Sequence, residues 1–486
     1  MSRARPVHRF LHRVGILSSA SAVLLALHFG LVAGAGGGAG VAFGPNIELV
    51  GDPGLPNSLE ENESSVAANP RDALDVVAGF KDNTQTAGGD SCYFNTTRDG
   101  GQTWTPGGRL QVVPDGTEVC ADPSVTGDLQ GNFYYAYLNL HNPGSSISNP
   151  TESDILVSRS TDGGGSFPSF VVVARGLPGA GLTDKPYIAA DARSASKFKG
   201  NLYLSYTFED DVPVFVEGIR VTVSRDGGAT WSSPVVLDRG TATTIVEASL
   251  PVVAPDGAVY VIYSEFDGFD LLNMKFAKSK DGGKSWSAPA PIASGLPSPG
   301  EFFLRNGDPK FGTTAFAGLR ANSFPTAAIT PDGAVWVAWI DFARGSCNSQ
   351  LFEPPCDNSD LRLTVSRDGG KNWSAPVKVT DETNASDQFF PWIAAHPNGL
   401  VSLVWLDRRL DPANVDYDAF YTNTFDGVTF SPNIRVSSVT SVLGNLDYIG
   451  DYIGLAATGT SVFPVWTDRR DKNNLDMFTA RGTIAP

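Results

Sequence analysis

The chain of 486 residues is 41% hydrophobic and only 18% charged, and it contains 52 glycines and 33 prolines. Its formal net charge of −16 at pH 7 argues against nucleic acid or an anionic membrane surface as a partner. Abundant glycine, proline and aromatic residues are typical of an all-β protein. Because long helical periodicity is absent after the N-terminal segment, we expect a chain of strands and turns.

The N-terminal segment has the pattern of an export signal. Four arginines in MSRARPVHRFLHR precede an apolar stretch at 14–35, which ends in small residues. This predicts a signal peptide over residues 1–35, and therefore a secreted or extracytoplasmic protein. The alternative is an uncleaved membrane anchor, because the apolar stretch is long enough to cross a bilayer. We expect the mature domain itself not to enter the membrane, and to be a monomer.

A short motif occurs six times: Ser or Thr, any residue, Asp, Gly, usually a second Gly, two further residues, then Trp or Phe. Two glycines supply the positive φ values of a tight turn, the carboxylate can accept backbone N–H groups across it, and the ring fills the space beneath. We therefore predict that the six aspartates hold turns and do not catalyse. They are Asp99, Asp162, Asp226, Asp281, Asp368 and Asp426.

Seven hairpins of similar composition divide the chain, as in TAAITPDGAVWVAWID at 326–341. Each hairpin is followed by a third strand, the Asp-Gly turn and a fourth strand, except that the last unit lacks the turn and the fourth strand. Residues 43–50, FGPNIELV, resemble the fourth strand FSPNIRVS at 430–437. The sequence thus predicts one all-β domain over 43–486, a β-propeller of seven four-stranded antiparallel blades closed by an N-terminal strand. Six blades is the alternative.

The S/T-x-D-x-G-x-x-W/F repeat resembles the Asp-box, or BNR, repeat of the sialidase (neuraminidase) superfamily, over roughly residues 43–486. The resemblance implies a propeller and a glycoside hydrolase, although the box is specific for the fold and not for the activity. Family sialidases have six blades and use three arginines, a tyrosine nucleophile, an activating glutamate and an acid/base aspartate. Their Arg-Ile-Pro motif is absent here, because the matching region reads ENESSVAANPRD. The arginine triad therefore cannot be carried over.

If the first strand of each blade is innermost, the Asp-Gly turns lie on one face and the loops around the central pit lie on the other. Loop position, read with the family mechanism, suggests Tyr448 or Tyr452 as nucleophile, Glu247 as its activator and Asp82 as the acid. His141, on a loop of the same face, leaves a polysaccharide lyase as an alternative.

Two adjacent blades carry the related sequences VWLDRR at 404–409 and VWTDRR at 465–470. Arginine grips carboxylates through a planar fork, so these residues are candidates to bind an acidic sugar. The alternative is that they tie neighbouring loops to the aspartates of the same motif. The substrate-binding candidates are Arg408, Arg409, Arg469, Arg470, Arg344, Asp184 and Lys185.

Four cysteines without zinc-type spacing predict two disulfides in an exported protein. Proximity in sequence favours Cys92–Cys120 and Cys347–Cys356. We expect no metal and no cofactor. The acidic run DPANVDYD at 411–418 is a weak calcium candidate, since it lacks EF-hand spacing and is typical of a solvated loop.

Three functions remain open from the sequence. The first is a secreted sialidase-like propeller that acts on or binds glycans, as an exo-glycosidase of an acidic sugar. The second is a non-catalytic propeller that binds glycans or proteins through the same pit, and the third is the lyase.

Overall fold

The computed structural model describes residues 38–51, 60–82, 90–114, 119–141, 152–176, 181–210, 216–241, 243–267, 270–296, 301–304, 319–342, 358–444, 446 and 448–485. These residues form thirty strands and no helix. Seven sheets have four antiparallel strands each. Within the described residues, no helix has the length and apolarity needed to cross a membrane.

The first four blades are meanders of consecutive strands. Blade 1 consists of β2 (Glu61–Ala68), β3 (Val76–Asp82), β4 (Ser91–Thr97) and β5 (Thr105–Arg109). Blade 2 consists of β6 (Val119–Gly127), β7 (Phe133–His141), β8 (Glu152–Ser160) and β9 (Phe170–Arg175). Blade 3 consists of β10 (Gly181–Ala190), β11 (Leu202–Asp210), β12 (Val216–Ser224) and β13 (Val235–Arg239). Blade 4 consists of β14 (Thr244–Val253), β15 (Val259–Asp267), β16 (Asp270–Ser279) and β17 (Ala290–Ser294).

A two-stranded hairpin, β18 (Glu301–Leu304) and β19 (Leu319–Asn322), precedes blade 5. Blade 5 consists of β20 (Thr326–Ile329), β21 (Val335–Phe342), β22 (Ser359–Ser366) and β23 (Val377–Lys378). Blade 6 consists of β24 (Gln388–Ala395), β25 (Val401–Asp407), β26 (Asp418–Thr424) and β27 (Ile434–Arg435). Blade 7 consists of β28 (Gly454–Ala457), β29 (Ser461–Asp468), β30 (Asp476–Ile484) and, from the other end of the chain, β1 (Val41–Leu49).

The first strands of neighbouring blades contact one another, which makes them the inner strands of the ring. Blades pack face to face, so their second strands are covered on both sides and read as nearly continuous apolar runs. Trp336 and Trp339 of β21, Trp405 of β25 and Trp466 of β29 are fully buried there. The hydrophobic core therefore lies between the blades, in a ring around the axis.

The ring is closed as the sequence predicts, and it has the predicted seven blades and not the alternative six. Strand β1 pairs antiparallel with β30, with Asn46 opposite Ala480 and Leu49 opposite Met477. The Asn46 side chain also donates to the Val436 carbonyl oxygen at 2.9 Å. Blade 7 thus combines its inner three strands from one end of the chain with its outer strand from the other.

Asp368 shows how the repeated turn is held. Its Oδ1 accepts the backbone N–H groups of Lys371 and Asn372 at 3.0 and 2.9 Å, and its Oδ2 accepts the Asn372 side-chain amide at 2.7 Å. The hydrogen bonds from Asn372 lower the pKa of Asp368 to about 2. Equivalent backbone N–H bonds are accepted by Asp99, Asp162, Asp226, Asp281 and Asp426.

Each of these turns also contacts the blade before it. Gly370 has a φ of 88°, and a Cβ atom there would lie 2.6 Å from the Phe276 ring of the preceding blade. Only glycine permits both the conformation and the close approach. Cationic side chains beside the turns donate to backbone carbonyl oxygens of the next turn around the ring, namely Arg98 to Asp162, Arg225 to Gly282, Lys278 to Gly369 and Arg367 to Asp426.

We predict that removal of residues 38–49 destabilises the whole domain, because it leaves β30 as an unpaired edge strand and unpairs its backbone groups. A truncation that ends at residue 37 is the control. Thermal unfolding compares the two proteins, and we expect a markedly lower Tm for the longer deletion. Equal melting of both would contradict closure through β1.

Glu61 lies at the closing seam between blades 7 and 1. Its Oε1 accepts the Gly51 N–H at 3.0 Å and its Oε2 accepts the Met477 N–H at 2.9 Å. Its partner across the β2–β3 ladder is Asp82, and both carboxyl groups are buried. Burial, with a smaller contribution from Asp82, raises the pKa of Glu61 from 4.5 to about 8.

Since this pKa is higher in the folded than in the unfolded chain, the protonated Glu61 stabilises the fold fully below pH 4.5, and this stabilisation is lost as the pH rises to about 8. We therefore expect the free energy of unfolding of Glu61→Gln to fall less than that of the wild type between pH 5 and pH 8. Urea denaturation at several pH values measures this. Glu60→Gln, at the exposed neighbouring residue, should behave like the wild type.

Candidate active site

The inner strands share an irregularity that creates the central pit. In five of them a non-glycine residue interrupts the ladder with a φ between 45° and 56°. Such bulges redirect a side chain at a cost in backbone strain, and they concentrate at functional sites. The five residues are Glu63, Asp122, Lys185, Ala248 and Phe390.

Charged side chains from these bulges meet across blades. Glu63 Oε2 accepts the Asp122 backbone N–H at 3.3 Å, and Asp122 Oδ2 accepts the Lys185 backbone N–H at 3.3 Å. The Lys185 ammonium lies 2.9 Å from Asp451 Oδ2 of blade 7. Arg320, carried by β19, lies 2.6 Å from Asp451 Oδ1. Residues of blades 1, 2, 3 and 7 and of the β18–β19 hairpin therefore form one polar cluster, which we call the axial site.

At the centre of the axial site, the Tyr448 hydroxyl donates a short hydrogen bond to Glu63 Oε1. Two cations flank the phenol ring, with the Arg320 guanidinium 4.7 Å and the Lys81 ammonium 5.7 Å from the ring centroid. Lys81 Nζ is also 3.9 Å from Glu63 Oε2. A phenol that donates to a carboxylate has a base in place to activate it as a nucleophile. Burial and the charges of Glu63 and Asp451 nevertheless raise the pKa of Tyr448 well above its ordinary value, against the opposing effect of Arg320.

Burial shapes the proton affinities of this cluster. It raises the pKa of Glu63 to about 7, against the opposing charge of Lys81, and the pKa of Asp122 to about 6. Burial also acts to raise the pKa of Asp451, but Lys185 and Arg320 lower it below its ordinary value. Near neutral pH, Glu63 and Asp122 can thus both gain and lose a proton, as general acids and bases must.

The sequence-predicted catalytic residues are separated by the fold. Tyr448 lies in the axial site, whereas the Tyr452 hydroxyl donates to the Pro123 carbonyl oxygen at 3.1 Å and its ring is buried. Glu247 lies on the inner strand of blade 4, and the carboxylate that accepts the hydrogen bond of the Tyr448 hydroxyl is Glu63. Asp82 is buried at the seam beside Glu61, at the end of β3.

The sequence analysis gave no role to Glu63, Asp122 or Arg320. The first two carry a usable signal, because each lies at the bulge where an inner strand begins. No sequence signal points to Arg320, because it reaches the axial site from the β18–β19 hairpin, which lies outside the repeat.

The paired VWLDRR and VWTDRR motifs form two copies of one structural unit. The Trp405 and Trp466 indoles donate to Asp407 and Asp468 at 2.7 and 2.9 Å. The second arginine of each motif bonds the same aspartates: Arg409 with Asp407 at 2.8 Å and Arg470 with Asp468 at 2.7 Å.

The first arginine of each motif is tied to neighbouring loops. Arg408 has a side-chain exposure of 0%, and its Nη1 donates to the Asn414 carbonyl oxygen at 3.0 Å and lies 3.6 Å from the Asp387 carboxylate. Burial lowers the pKa of Arg408 to about 10. Arg469 Nη1 donates to two carbonyl oxygens of the 442–443 segment at 3.0 and 2.7 Å. These contacts agree with the loop-tying alternative, and a role in substrate binding stays a prediction.

The other predicted substrate-binding residues have different positions. Asp184 and Lys185 lie together in the bulge of blade 3, and burial raises the pKa of Asp184. Arg344 lies outside the described residues, as does the predicted Cys347–Cys356 pair. The predicted Cys92–Cys120 disulfide is present.

The acidic run at 411–418 is held by its own backbone. The Asp411 carboxylate accepts the N–H groups of Ala413, Val415 and Asp416 at 2.8 to 2.9 Å. In the part of the chain that the structure describes, no group of three or more carboxylate, imidazole or thiol side chains is arranged to hold a metal ion. The calcium candidate at this loop stays a prediction.

No protein-family model matches the chain, and no curated protein matches it. Solved structures do. A protein of unknown function from Dyadobacter fermentans superimposes with a TM-score of 0.50 at 13% identity, over 92% of this chain and 99% of that one. The Hadza microbial sialidase Hz136 gives 0.47 at 14%, over 90% and 91%. The GH93 α-L-arabinofuranosidase of Fusarium graminearum gives 0.47 at 12%, over 90% and 98%. At such identities the likeness is one of fold, the β-propeller.

We predict that Arg408→Ala lowers the free energy of unfolding by about 3 to 5 kcal/mol, because it breaks a buried ion pair. Urea denaturation measures this loss, and Arg71→Ala, in an exposed turn at the other end of the inner strands, is the matched control. Glycan binding by the folded fraction should not change. If binding were lost while stability stayed at the wild-type level, Arg408 would be a ligand-binding residue.

Proposed function

We propose that this protein is a glycan-acting β-propeller, a glycoside hydrolase with Tyr448 as its nucleophile and Glu63 as the base that activates it. The observation that carries this proposal is the hydrogen bond from the Tyr448 hydroxyl to the Glu63 carboxylate within the axial site. A tyrosine nucleophile is an established exception among glycosidases, which otherwise use a carboxylate.

The proposed reaction has two displacements. Glu63 takes the phenolic proton as Tyr448 Oη attacks the anomeric carbon, and Asp122 gives its proton to the departing glycosidic oxygen. The product of this step is a glycosyl-tyrosine. Asp122, now a carboxylate, then takes a proton from water, the water oxygen attacks the anomeric carbon, and the phenolate leaves and regains its proton from Glu63.

The surroundings of the two groups support these roles. Burial and the charges of Glu63 and Asp451 raise the pKa of Tyr448 well above its ordinary value, whereas Arg320 lowers it, so Tyr448 needs Glu63 as a base to lose its proton. Burial raises the pKa of Asp122 to about 6, below that of Glu63, so the state with Glu63 ionised and Asp122 protonated is a minor one that is most populated between pH 6 and pH 7. Its backbone N–H to Glu63 Oε2 fixes the two carboxyl groups relative to each other.

Two other functions remain as alternatives. A non-catalytic glycan- or protein-binding propeller would use the same pit without needing the Tyr448 hydroxyl. A polysaccharide lyase is less favoured, because His141 lies at the rim with its Nε2 3.3 Å from the Asp154 carboxylate, while Tyr448 already has a base in Glu63.

We also propose that the protein is exported, as its N-terminal sequence predicts. The Cys92–Cys120 disulfide supports this proposal, because disulfides persist in oxidising compartments and are rare in the reducing cytosol.

Turnover of a panel of fluorogenic glycosides tests the proposed function. For a substrate that is hydrolysed, we expect Glu63→Gln to lower kcat by about 10²- to 10⁴-fold, the usual contribution of a general base, and Tyr448→Phe, which removes the nucleophile, to lower kcat at least as much. Asp368→Ala, in a turn on the opposite face, should keep the wild-type kcat per folded molecule.

The pH profile gives a second readout. Glu63 must be ionised and Asp122 protonated, so kcat/KM should be bell-shaped with its maximum between pH 6 and pH 7. Glycan binding without any hydrolysis would favour the non-catalytic alternative, whereas full activity in Tyr448→Phe would exclude Tyr448 as the nucleophile.

A further inference from the structure

The axis of the propeller has a second opening, on the face that carries the Asp-Gly turns. Because neighbouring strands of a blade are antiparallel, the turns after the first strands lie on that face too. Residues at these turns, from all seven blades, surround a cavity of about 680 Å³, which we call the turn-face cavity. Its volume is typical of a small-molecule site.

Small residues at the ends of the inner strands leave this space open. The sequence reads AANP at 67–70 and AAHP at 394–397, where the strands turn. Six alanines of the lining are half-buried, which means that their methyl groups face the cavity and are not covered by other side chains: Ala67, Ala68, Ala192, Ala394, Ala395 and Ala457. The wall of the turn-face cavity is therefore largely apolar.

A layer of three aromatic rings lies between the turn-face cavity and the axial site. Tyr187 of blade 3, Trp392 of blade 6 and Tyr452, which enters blade 7, contact one another with ring centroids 5.6 to 6.3 Å apart. On β24, for example, Trp392 lies between the bulge at Phe390 and the cavity residue Ala394. The axial site and the turn-face cavity are thus two sites at opposite ends of the axis.

The charged side chains of the turn-face cavity are both cations. Among the described residues that line it, the charged ones are Arg71 and Arg193, and no carboxylate is present. Arg71 is exposed, and its side chain has no partner within the part of the chain that the structure describes. In a chain with a net charge of −16, a cavity lined by cations alone is electrostatically complementary to an anion.

Arg193 is held at the cavity wall by two other blades. From the first turn of blade 3, its Nε donates to the Val253 carbonyl oxygen at 3.1 Å and its Nη2 donates to the Ile329 carbonyl oxygen at 3.2 Å. Asp191 acts on this charge but forms no ion pair with the guanidinium, because its carboxylate accepts the Arg193 backbone N–H and the Ser196 hydroxyl. Burial lowers the pKa of Arg193, since its charge is only partly compensated.

We propose that the turn-face cavity binds a small organic carboxylate with an apolar body, such as a medium-chain fatty acid. The alanine-rich wall suits the apolar body, because removal of apolar surface from water drives such binding. The two guanidinium groups suit the carboxylate, which arginine binds through paired N–H donors. An amine would meet no carboxylate among the described lining residues. This site does not depend on the proposed function.

Isothermal titration calorimetry with the intact protein at pH 7.5 tests this inference. The probes are decanoate, 1-decanol, acetate and inorganic phosphate. We expect one decanoate per chain, bound at least about tenfold more tightly than 1-decanol, which is the effect of one charge-assisted hydrogen bond. Acetate and phosphate lack the apolar body and should show no measurable binding.

Variants locate the ligand. Arg193→Gln should weaken decanoate binding about tenfold or more and leave 1-decanol binding unchanged. Arg225→Gln is the matched control and should bind decanoate like the wild type, because Arg225 also donates to a carbonyl oxygen of the next blade, that of Gly282, but does not line the cavity. Ala192→Phe fills the cavity and should weaken binding of decanoate and of 1-decanol. If Arg193→Gln failed to fold, the exposed Arg71→Gln would give the same test with a decrease of about two- to fivefold.

The inference is overturned by absence of saturable decanoate binding, by equal affinity for decanoate and 1-decanol, or by phosphate binding as tight as that of decanoate. Decanoate affinity that is unchanged in both Ala192→Phe and the arginine variants would also overturn it, since the ligand would then lie elsewhere. The proposed function is tested by glycoside turnover, so its outcome is separate from that of decanoate binding.

Discussion

Closure of the ring through β1 and β30 is the constraint on which the rest of the molecule depends. Tyr448 belongs to the segment that enters blade 7, and Glu63 belongs to the inner strand of blade 1, so these residues are 385 positions apart in sequence. They meet because the ring is closed: β1, from the start of the chain, pairs with β30 of blade 7, and blade 7 packs against blade 1. The same seam buries Glu61 and Asp82, which makes it a structural joint as well as one wall of the axial site.

The two faces of the propeller differ in their interactions: one carries the turns that stabilise the fold, and the other carries the axial site. On one face, exposed aspartates satisfy the backbone of short turns, and their glycines allow the turns to press against the preceding blade. On the other face, inner-strand bulges hold non-glycine residues at positive φ, and buried charges face one another. Backbone strain and shifted pKa values are thus found on the second face, while the turns of the first face make the fold rigid. This is expected when a stable scaffold supports a site that costs stability.

Much of this fold could be predicted from the sequence, because each blade repeats the same hairpin and turn chemistry and the resemblance of 43–50 to 430–437 indicates closure. The site could be predicted only in part. Tyr448 was identified by its loop, but its partner Glu63 depends on a bulge that no glycine marks, and Arg320 arrives from a hairpin outside the repeat. Asp82 lies buried opposite Glu61 at the seam, and its proposed role as the acid stays a prediction. The burial of Arg408 could not be predicted from the paired arginines, because a local motif does not encode which of its side chains the neighbouring loops cover.

The ties between successive turns have a consequence for how such rings change in evolution. Each cation reaches a main-chain carbonyl of the adjacent turn, and a carbonyl is present whatever residue occupies that position. Coupling of this kind is between nearest neighbours and does not specify how many units the circle contains. A duplicated blade would make the same hydrogen bonds to the turns on either side, and so would the blades brought together by the loss of one. The number of blades can therefore change while these contacts between turns are preserved. The width of the axial opening follows from the number of blades and would change with that number. A new pocket geometry could therefore arise by copying one blade, with every contact inside the copied blade unchanged.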